Sequence, residues 1–184
     1  MLSLKKPCNT AVSSAHDWAQ YLSGQWHLAR QITDFITANN GTLTGTATFT
    51  NQFTDQGKET EWSEQGRLRL GDYEGDAWQR YRLTHRHDQP SQVQFPDGRL
   101  FFTLPMITPR APASGMTSGH PGAPPTQLGP IPLHHDCPPD TYQGQLTVIN
   151  DHEWRLSWVV TGPRKHYEIK SVYTQPAVTP PPGA

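Results

Sequence analysis

Cysteine is nearly missing from this chain of 184 residues, which has only Cys8 and Cys137. One bridge is the most they could form, so a disulfide framework is excluded. Long apolar runs are missing too: no window approaches the roughly 18 apolar residues that a membrane-spanning helix needs. The N-terminal "MLSLKKPCNTAVSSA" has two lysines with no continuous apolar stretch behind them, and is read as carrying no cleaved secretory signal. The expectation is a soluble, cytoplasmic protein with no membrane partner. Blocks of one charge are lacking as well. Fifteen basic and sixteen acidic residues are scattered, for a net charge of −1. Without a basic stripe there is nothing to neutralise phosphates, and no nucleic-acid partner is expected.

What is present is aromatic and alternating. The length suits one domain with a real core. The apolar fraction is low at 34%, but six tryptophans supply large surfaces to bury. Ser14 opens a short helical pattern with Asp17 as capping partner, Trp18, Tyr21 and Leu22 share a face, and Gly24 ends it. From there the period is two. In "GTLTGTATFTNQF", Leu43, Gly45, Ala47 and Phe49 alternate with threonines, the mark of a strand with one apolar and one solvated face. "GQWHLARQITDF" and "ETEWSEQGRLRL" alternate similarly, and "NNG" at 39–41 reads as a hairpin turn. "DAWQRYRLTHRH" alternates with either face eligible for the interior. "SQVQF-PDG-RLFFTL" reads as a hairpin turning at Pro96-Asp97-Gly98. Three further strands follow in "TYQGQLTVIN", "EWRLSWVVT" and "KHYEIKSVYT".

Between these groups, residues 105–139 hold ten of the eighteen prolines and read as a long Pro/Gly-rich loop, a lid or binding loop. The organisation expected is a flexible N-terminus over 1–13, one barrel domain over 14–174 and a disordered Pro-rich tail over 175–184. An all-β fold of about eight or nine antiparallel strands with one short N-terminal helix leaves a barrel or a sandwich. The unbroken up-and-down order favours the barrel, which can enclose one small ligand.

"SGQWHLARQI", with Gly24-x-Trp26 following a short helix, resembles the Gly-x-Trp signature of the lipocalins and the wider calycin superfamily. Together with "HDCPPDTYQG", Trp158 and "GPRKHYEIKSVY", residues 15–174 are similar to a lipocalin-like domain family of unknown function found in bacteria and fungi. The resemblance implies a lipocalin-like barrel whose end Trp26 closes, with Arg164 or Lys165 over its ring in a cation–π contact. It implies no catalytic activity. This chain departs from secreted lipocalins in showing neither signal peptide nor disulfides. Intracellular relatives in that superfamily include ligand carriers, haem binders and some cofactor-free enzymes.

Alternation puts two charges on apolar faces. If Trp26, Leu28 and Ile32 face inward, so does Arg30; if Trp62, Leu68 and Leu70 do, so does Glu64. A charge there costs several kcal/mol unless paired or hydrated. Arg30 either presents its guanidinium to an anion in the cavity or forms an ion pair with Glu64. Trp62, Tyr142, Trp158 and Tyr167 are the expected walls. The expected function is binding of a small anionic aromatic or amphipathic organic ligand. The alternative is a cofactor-free lyase or isomerase, in which Glu64, Asp140 or Tyr142 acts as general acid or base, as Tyr, Arg and Glu do in lipocalin-like phenolic-acid decarboxylases. Arg80 or Arg82 could contribute if that strand's register turned them inward. No cofactor is expected, and the oligomeric state is not read.

"LHHDCPPDTYQG", residues 133–144, concentrates reactive side chains. Neither Cys-x-x-Cys nor His-x-x-x-His occurs in it, and adjacent histidines on extended backbone point apart. His135 and Cys137 could share an ion only with outside help from His85, His87 or His120, and a Cys137–His135 nucleophile pair has no marked activation. Metal or haem binding remains a third possibility. The structural reading is that Pro138-Pro139 stiffen the approach to a strand in which Asp140 and Tyr142 point inward.

Overall fold

The computed structural model describes residues 18–55, 57–107 and 128–175. Cys8, the Ser14–Asp17 cap, His120 and the proposed flexible termini lie outside them, as does the central part of the 105–135 lid. Among the described residues a single helix, α1 (Trp18–Leu22), precedes ten strands. These are β1 (Gly24–Asp34), β2 (Asn40–Thr54), β3 (Gly57–Leu70), β4 (Tyr73–His85) and β5 (Ser91–Gln94), then β6 (Leu100–Leu104), β7 (Leu128–Cys137), β8 (Asp140–Asn150), β9 (Glu153–Gly162) and β10 (Lys165–Thr174). Every pairing is antiparallel, in the order β6-β5-β4-β3-β2-β1-β10-β9-β8-β7. Chain neighbours therefore pair throughout, except across β6 and β7, and the β1–β10 ladder joins the two halves. The result is the expected all-β up-and-down barrel, nearly closed, with ten strands rather than eight or nine.

Part of the difference in number comes from β7. Residues 128–137 fall within the stretch read as a Pro-rich loop, yet they pair with β8 from Leu128↔Val148 to Cys137↔Asp140, with an irregularity between Leu128 and Ile131. Proline removes a ladder donor and is confined to edges and bulges. Pro130 and Pro132 satisfy that rule, because β7 ends the sheet.

The two barrel ends differ. At one end lie α1, the β4–β5 and β8–β9 turns and the exit from β6. Here Trp18, Ala19 and Leu22 are buried. Trp18 Nε1 donates to the Pro105 carbonyl (2.7 Å), and Tyr21 donates its hydroxyl proton to the Asn150 carbonyl (2.8 Å). Gly24, with φ of +101°, turns the chain from helix into β1 in a conformation that glycine adopts without penalty. Trp26 is fully buried behind it and donates Nε1–H to the Leu22 carbonyl at 2.7 Å. Burial of Trp18 and Trp26 contributes roughly 4–6 kcal/mol each before entropy is counted. The opposite end is a mouth ringed by the β1–β2, β3–β4, β5–β6, β7–β8 and β9–β10 turns. Asp34 organises the first of these, its carboxylate accepting from Ile36 N (2.9 Å) and the Thr37 hydroxyl (2.6 Å).

A polar chain threads the closed end. Asn51 Nδ2 donates to the Ala19 carbonyl (2.9 Å), so its Oδ1 accepts the Thr60 hydroxyl proton (2.7 Å). Thr60 then meets His85 Nε2 at 2.8 Å, and His85 Nδ1 meets Ser91 Oγ at 2.9 Å. This chain stitches α1, β2, β3, β4 and β5 together across an otherwise apolar core.

Candidate binding cavity

Arg30 and Glu64 meet in the middle of the barrel. Arg30 Nη2 lies 2.8 Å from Glu64 Oε2, and their side chains are 18% and 3% exposed. Of the two arrangements open to Arg30, the structure contains the ion pair. Two further groups complete it. Arg30 Nε donates to Ser171 Oγ (2.7 Å) and Nη2 to Tyr173 OH (3.1 Å), while Tyr173 donates to Glu64 Oε1 (2.6 Å). Burial opposes the guanidinium charge, but Tyr173 and Glu64 outweigh it and Arg30's pKa is raised. Tyr173, fully buried and beside Glu64, has its pKa pushed far up and stays neutral. Tyr173 is also stacked on Trp154, with ring centroids 3.6 Å apart and planes within 2°.

The register explains this convergence. Arg30 faces Ser171 across β1–β10 and Leu43 across β1–β2, while Glu64 faces Ala47 across β2–β3. Their long side chains span the strand between. Gly45 and Gly66 oppose one another there, so close that a β-carbon on either would collide with the partner strand's backbone.

A cavity of about 190 Å³ adjoins the pair. Its polar edge is Arg30, Glu64 and Ser171, and its walls are Trp62, Tyr81, Phe101, Tyr142 and Trp158, with Ile32, Leu156 and Ile169. Phe101 is sandwiched between Tyr81 (5.4 Å, 11°) and Trp158 (5.1 Å, 22°). A second cavity of about 190 Å³ lies against the same Arg30 and Glu64, with Leu43, Leu68 and Ala77 in its walls. The ion pair borders both chambers.

Of the expected wall residues, Trp62, Tyr142 and Trp158 line the first cavity together with Arg30 and Glu64. Tyr167 shares the inward face of β10 with Ile169 but sits two residues nearer the mouth, where it pairs across strands with Asp34 and Val160. Asp140 is inward-facing but occupied elsewhere. Its Oδ2 is 2.5 Å from Lys165 Nζ at the mouth, and its carboxylate fills the space beside Gly162. Tyr81 and Phe101 were not anticipated. Tyr81 is in phase with buried Leu83 and with Ala77 on β4, which was the available signal. Arg80 and Arg82 consequently point outward and are exposed, Arg82 lying 3.8 Å from Glu59.

The barrel-closing role expected for Arg164 or Lys165 is overturned. Strand β10 runs antiparallel to β1, with His27 opposite Thr174 and Asp34 opposite Tyr167. The start of β10 is therefore at the mouth, a strand's length from Trp26, whose ring neighbours are Tyr21 at 5.8 Å and Trp154 at 6.2 Å. Lys165 instead pairs with Asp140, and this contact raises the lysine pKa.

The His134–Cys137 segment divides by alternation. His134 and Asp136 are exposed and pair with each other at 3.0 Å. His135 turns toward the rings of Phe95 (5.6 Å), Phe101 (5.0 Å) and Tyr142 (5.6 Å), and burial lowers its pKa. Cys137 is an exposed thiol. Among the described residues no group of three His, Cys, Asp or Glu side chains could hold a metal ion, and no helix is long and apolar enough to cross a membrane.

Fold and cavity together define a nearly closed antiparallel barrel with a polar pair buried in an aromatic interior. The chain belongs to DUF6314, a family of unknown function, which it matches over residues 22–175. No curated protein matches it. Among solved structures it is similar to the S-type phycobiliprotein lyase CPES from Guillardia theta, at 9% identity and a TM-score of 0.55, over 85% of this chain and 89% of that one. A de novo designed fluorescence-activating β-barrel aligns at 14% identity and a TM-score of 0.39, over 86% of this chain and 97% of that one.

Proposed function

We propose that the protein binds a small aromatic or amphipathic organic molecule inside the barrel, ring against Trp62, Phe101 and Trp158, polar group toward Arg30. The observation that carries this is the cavity of about 190 Å³ walled by aromatics and bordered by a buried charge pair. Ligand sites are typically concave, largely apolar and furnished with a few placed polar groups. A dry engineered cavity of about 150 Å³ accepts benzene, so this volume suits a single-ring compound. That a phycobiliprotein lyase shares the fold supports the choice of such a barrel for a small-molecule role.

The lyase or isomerase reading finds less support. Both Glu64 oxygens are engaged, by Arg30 and Tyr173, and Asp140 is held by Lys165 at the mouth. Of the three acid–base candidates, Tyr142 is the one facing the cavity with its hydroxyl uncommitted among the described residues.

Two measurements test the binding reading. Native mass spectrometry of the purified protein should show a copurifying small molecule or, after stripping, saturable binding of single-ring aromatics. Ile169→Phe should fill the cavity and abolish that binding while the thermal midpoint holds. Unaltered binding in the variant, or none in the native protein, would refute the reading.

A further inference from the structure

Three hydrogen-bond donors at this cavity have nothing to donate to among the described residues. The hydroxyls of Tyr81 and Tyr142 form no hydrogen bond to the described residues, although both side chains line the same space. Tyr81 lies within electrostatic reach of Glu64, Arg30 and Tyr142, which places these groups around one region. Arg30 uses Nε and Nη2 for Ser171, Glu64 and Tyr173, leaving Nη1 uncommitted among the described residues. The one carboxylate in reach, Glu64, already accepts from two donors.

A donor that faces a half-enclosed aromatic cavity gains a net hydrogen bond when a ligand supplies the acceptor. The cavity is therefore short of acceptors. Its charge is balanced, however: Arg30 and Glu64 cancel, and at the mouth Lys165 is matched by Asp140. Bringing an ionised carboxylate beside Glu64 would leave an uncompensated charge in an apolar interior, whereas a carbonyl accepts the same hydrogen bonds and adds none. An anionic ligand follows from an unpaired Arg30; the ion pair changes that expectation.

Taking the interior cavity as the binding site, we infer that its ligand class is the neutral aromatic carbonyl compound, such as an aryl ketone, enone or amide. The carbonyl oxygen accepts from the hydroxyls of Tyr81 and Tyr142, beside the guanidinium of Arg30. A neutral carbonyl is selected over the matching carboxylate.

Three single-ring probes of similar size separate the possibilities: 4-phenyl-3-buten-2-one, cinnamate and 1-phenyl-1-butene. Each is titrated at neutral pH against the intrinsic fluorescence, to which Trp62 and Trp158 contribute from the cavity wall. The ketone should bind at least about tenfold more tightly than cinnamate and more tightly than the hydrocarbon. Tyr81→Phe and Tyr142→Phe should each weaken ketone binding about three- to tenfold, as expected for one lost neutral hydrogen bond, with hydrocarbon affinity and thermal midpoint unchanged. Cinnamate binding tightest, or ketone and hydrocarbon binding equally, would overturn the carbonyl assignment and leave the cavity reading standing. Failure of all three probes to bind would remove both.

Discussion

The indole of Trp158 occupies the space that a side chain on its cross-strand partner Gly144 would need. A β-carbon there would come within 2.5 Å of the ring. The glycine on β8 therefore sets how far the Trp158 wall retreats from the cavity.

Gly144→Ala should push that ring inward. Overpacking of this type costs about 1–3 kcal/mol, and the cavity should shrink with it. A lower thermal midpoint together with weakened binding of a single-ring aromatic is the expected result. Unchanged midpoint and affinity would show that the ring moves elsewhere at no cost.

Arg30→Ala strands the Glu64 carboxylate in the interior. Losing one member of a buried pair costs about 3–5 kcal/mol, while replacing both members with apolar residues is often close to neutral. Urea unfolding of Arg30→Met, Glu64→Leu and the double variant should give strongly non-additive losses, the double variant being more stable than either single one. Additive losses would mean the two side chains do not depend on each other.

Acid should loosen the mouth through His135. Burial among aromatic rings holds its pKa below the ordinary histidine value, so the folded form binds fewer protons than the unfolded chain. Its stabilising contribution is complete above the unfolded pKa of about 6.5 and declines as pH falls through the lower folded value. The native thermal midpoint should fall between about pH 7.5 and 5, and His135→Phe should reduce that dependence. A variant with the same pH profile as the native protein would assign the effect to other groups.

Thr60→Val keeps the shape of a fully buried side chain while removing the hydroxyl between Asn51 and His85. Two polar partners then lose a contact, at a cost of about 1–3 kcal/mol. Chemical denaturation should register this as a lower midpoint with an unchanged slope. A stability equal to the native protein's would show that water replaces the hydroxyl.

Alternation along single strands made much of this interior legible. Leu43, Gly45, Ala47 and Phe49 announce the inner face of β2, and the same period put Arg30, Glu64, Trp62 and Trp158 inside. What one strand cannot disclose is who meets whom. Ser171 and Tyr173 reach Arg30 from more than 140 residues away, through a pairing that exists only once the barrel closes. On β4 the periodicity is ambiguous because a large aromatic stands on each face. Tyr81 lines the cavity, whereas Trp78, the other candidate, is 78% exposed. Prolines hid β7, since an edge strand tolerates them as well as a loop does. The basic pair at Arg164–Lys165 falls at the end opposite to the expected one because proximity to the last strand does not say which end of it is meant.

Strands β6 and β7 terminate the sheet and share no ladder pairing. Topologically the molecule is a rolled ribbon whose free margins abut. The joint is bridged by side chains, with Phe101 of β6 against His135 of β7 and Phe102 beside Trp158. Backbone amides should accordingly exchange with solvent fastest along these margins and slowest in the β1–β2–β3 and β10 ladders opposite. Mechanically, the barrel has a zip, and its teeth are aromatic rings that also wall the cavity.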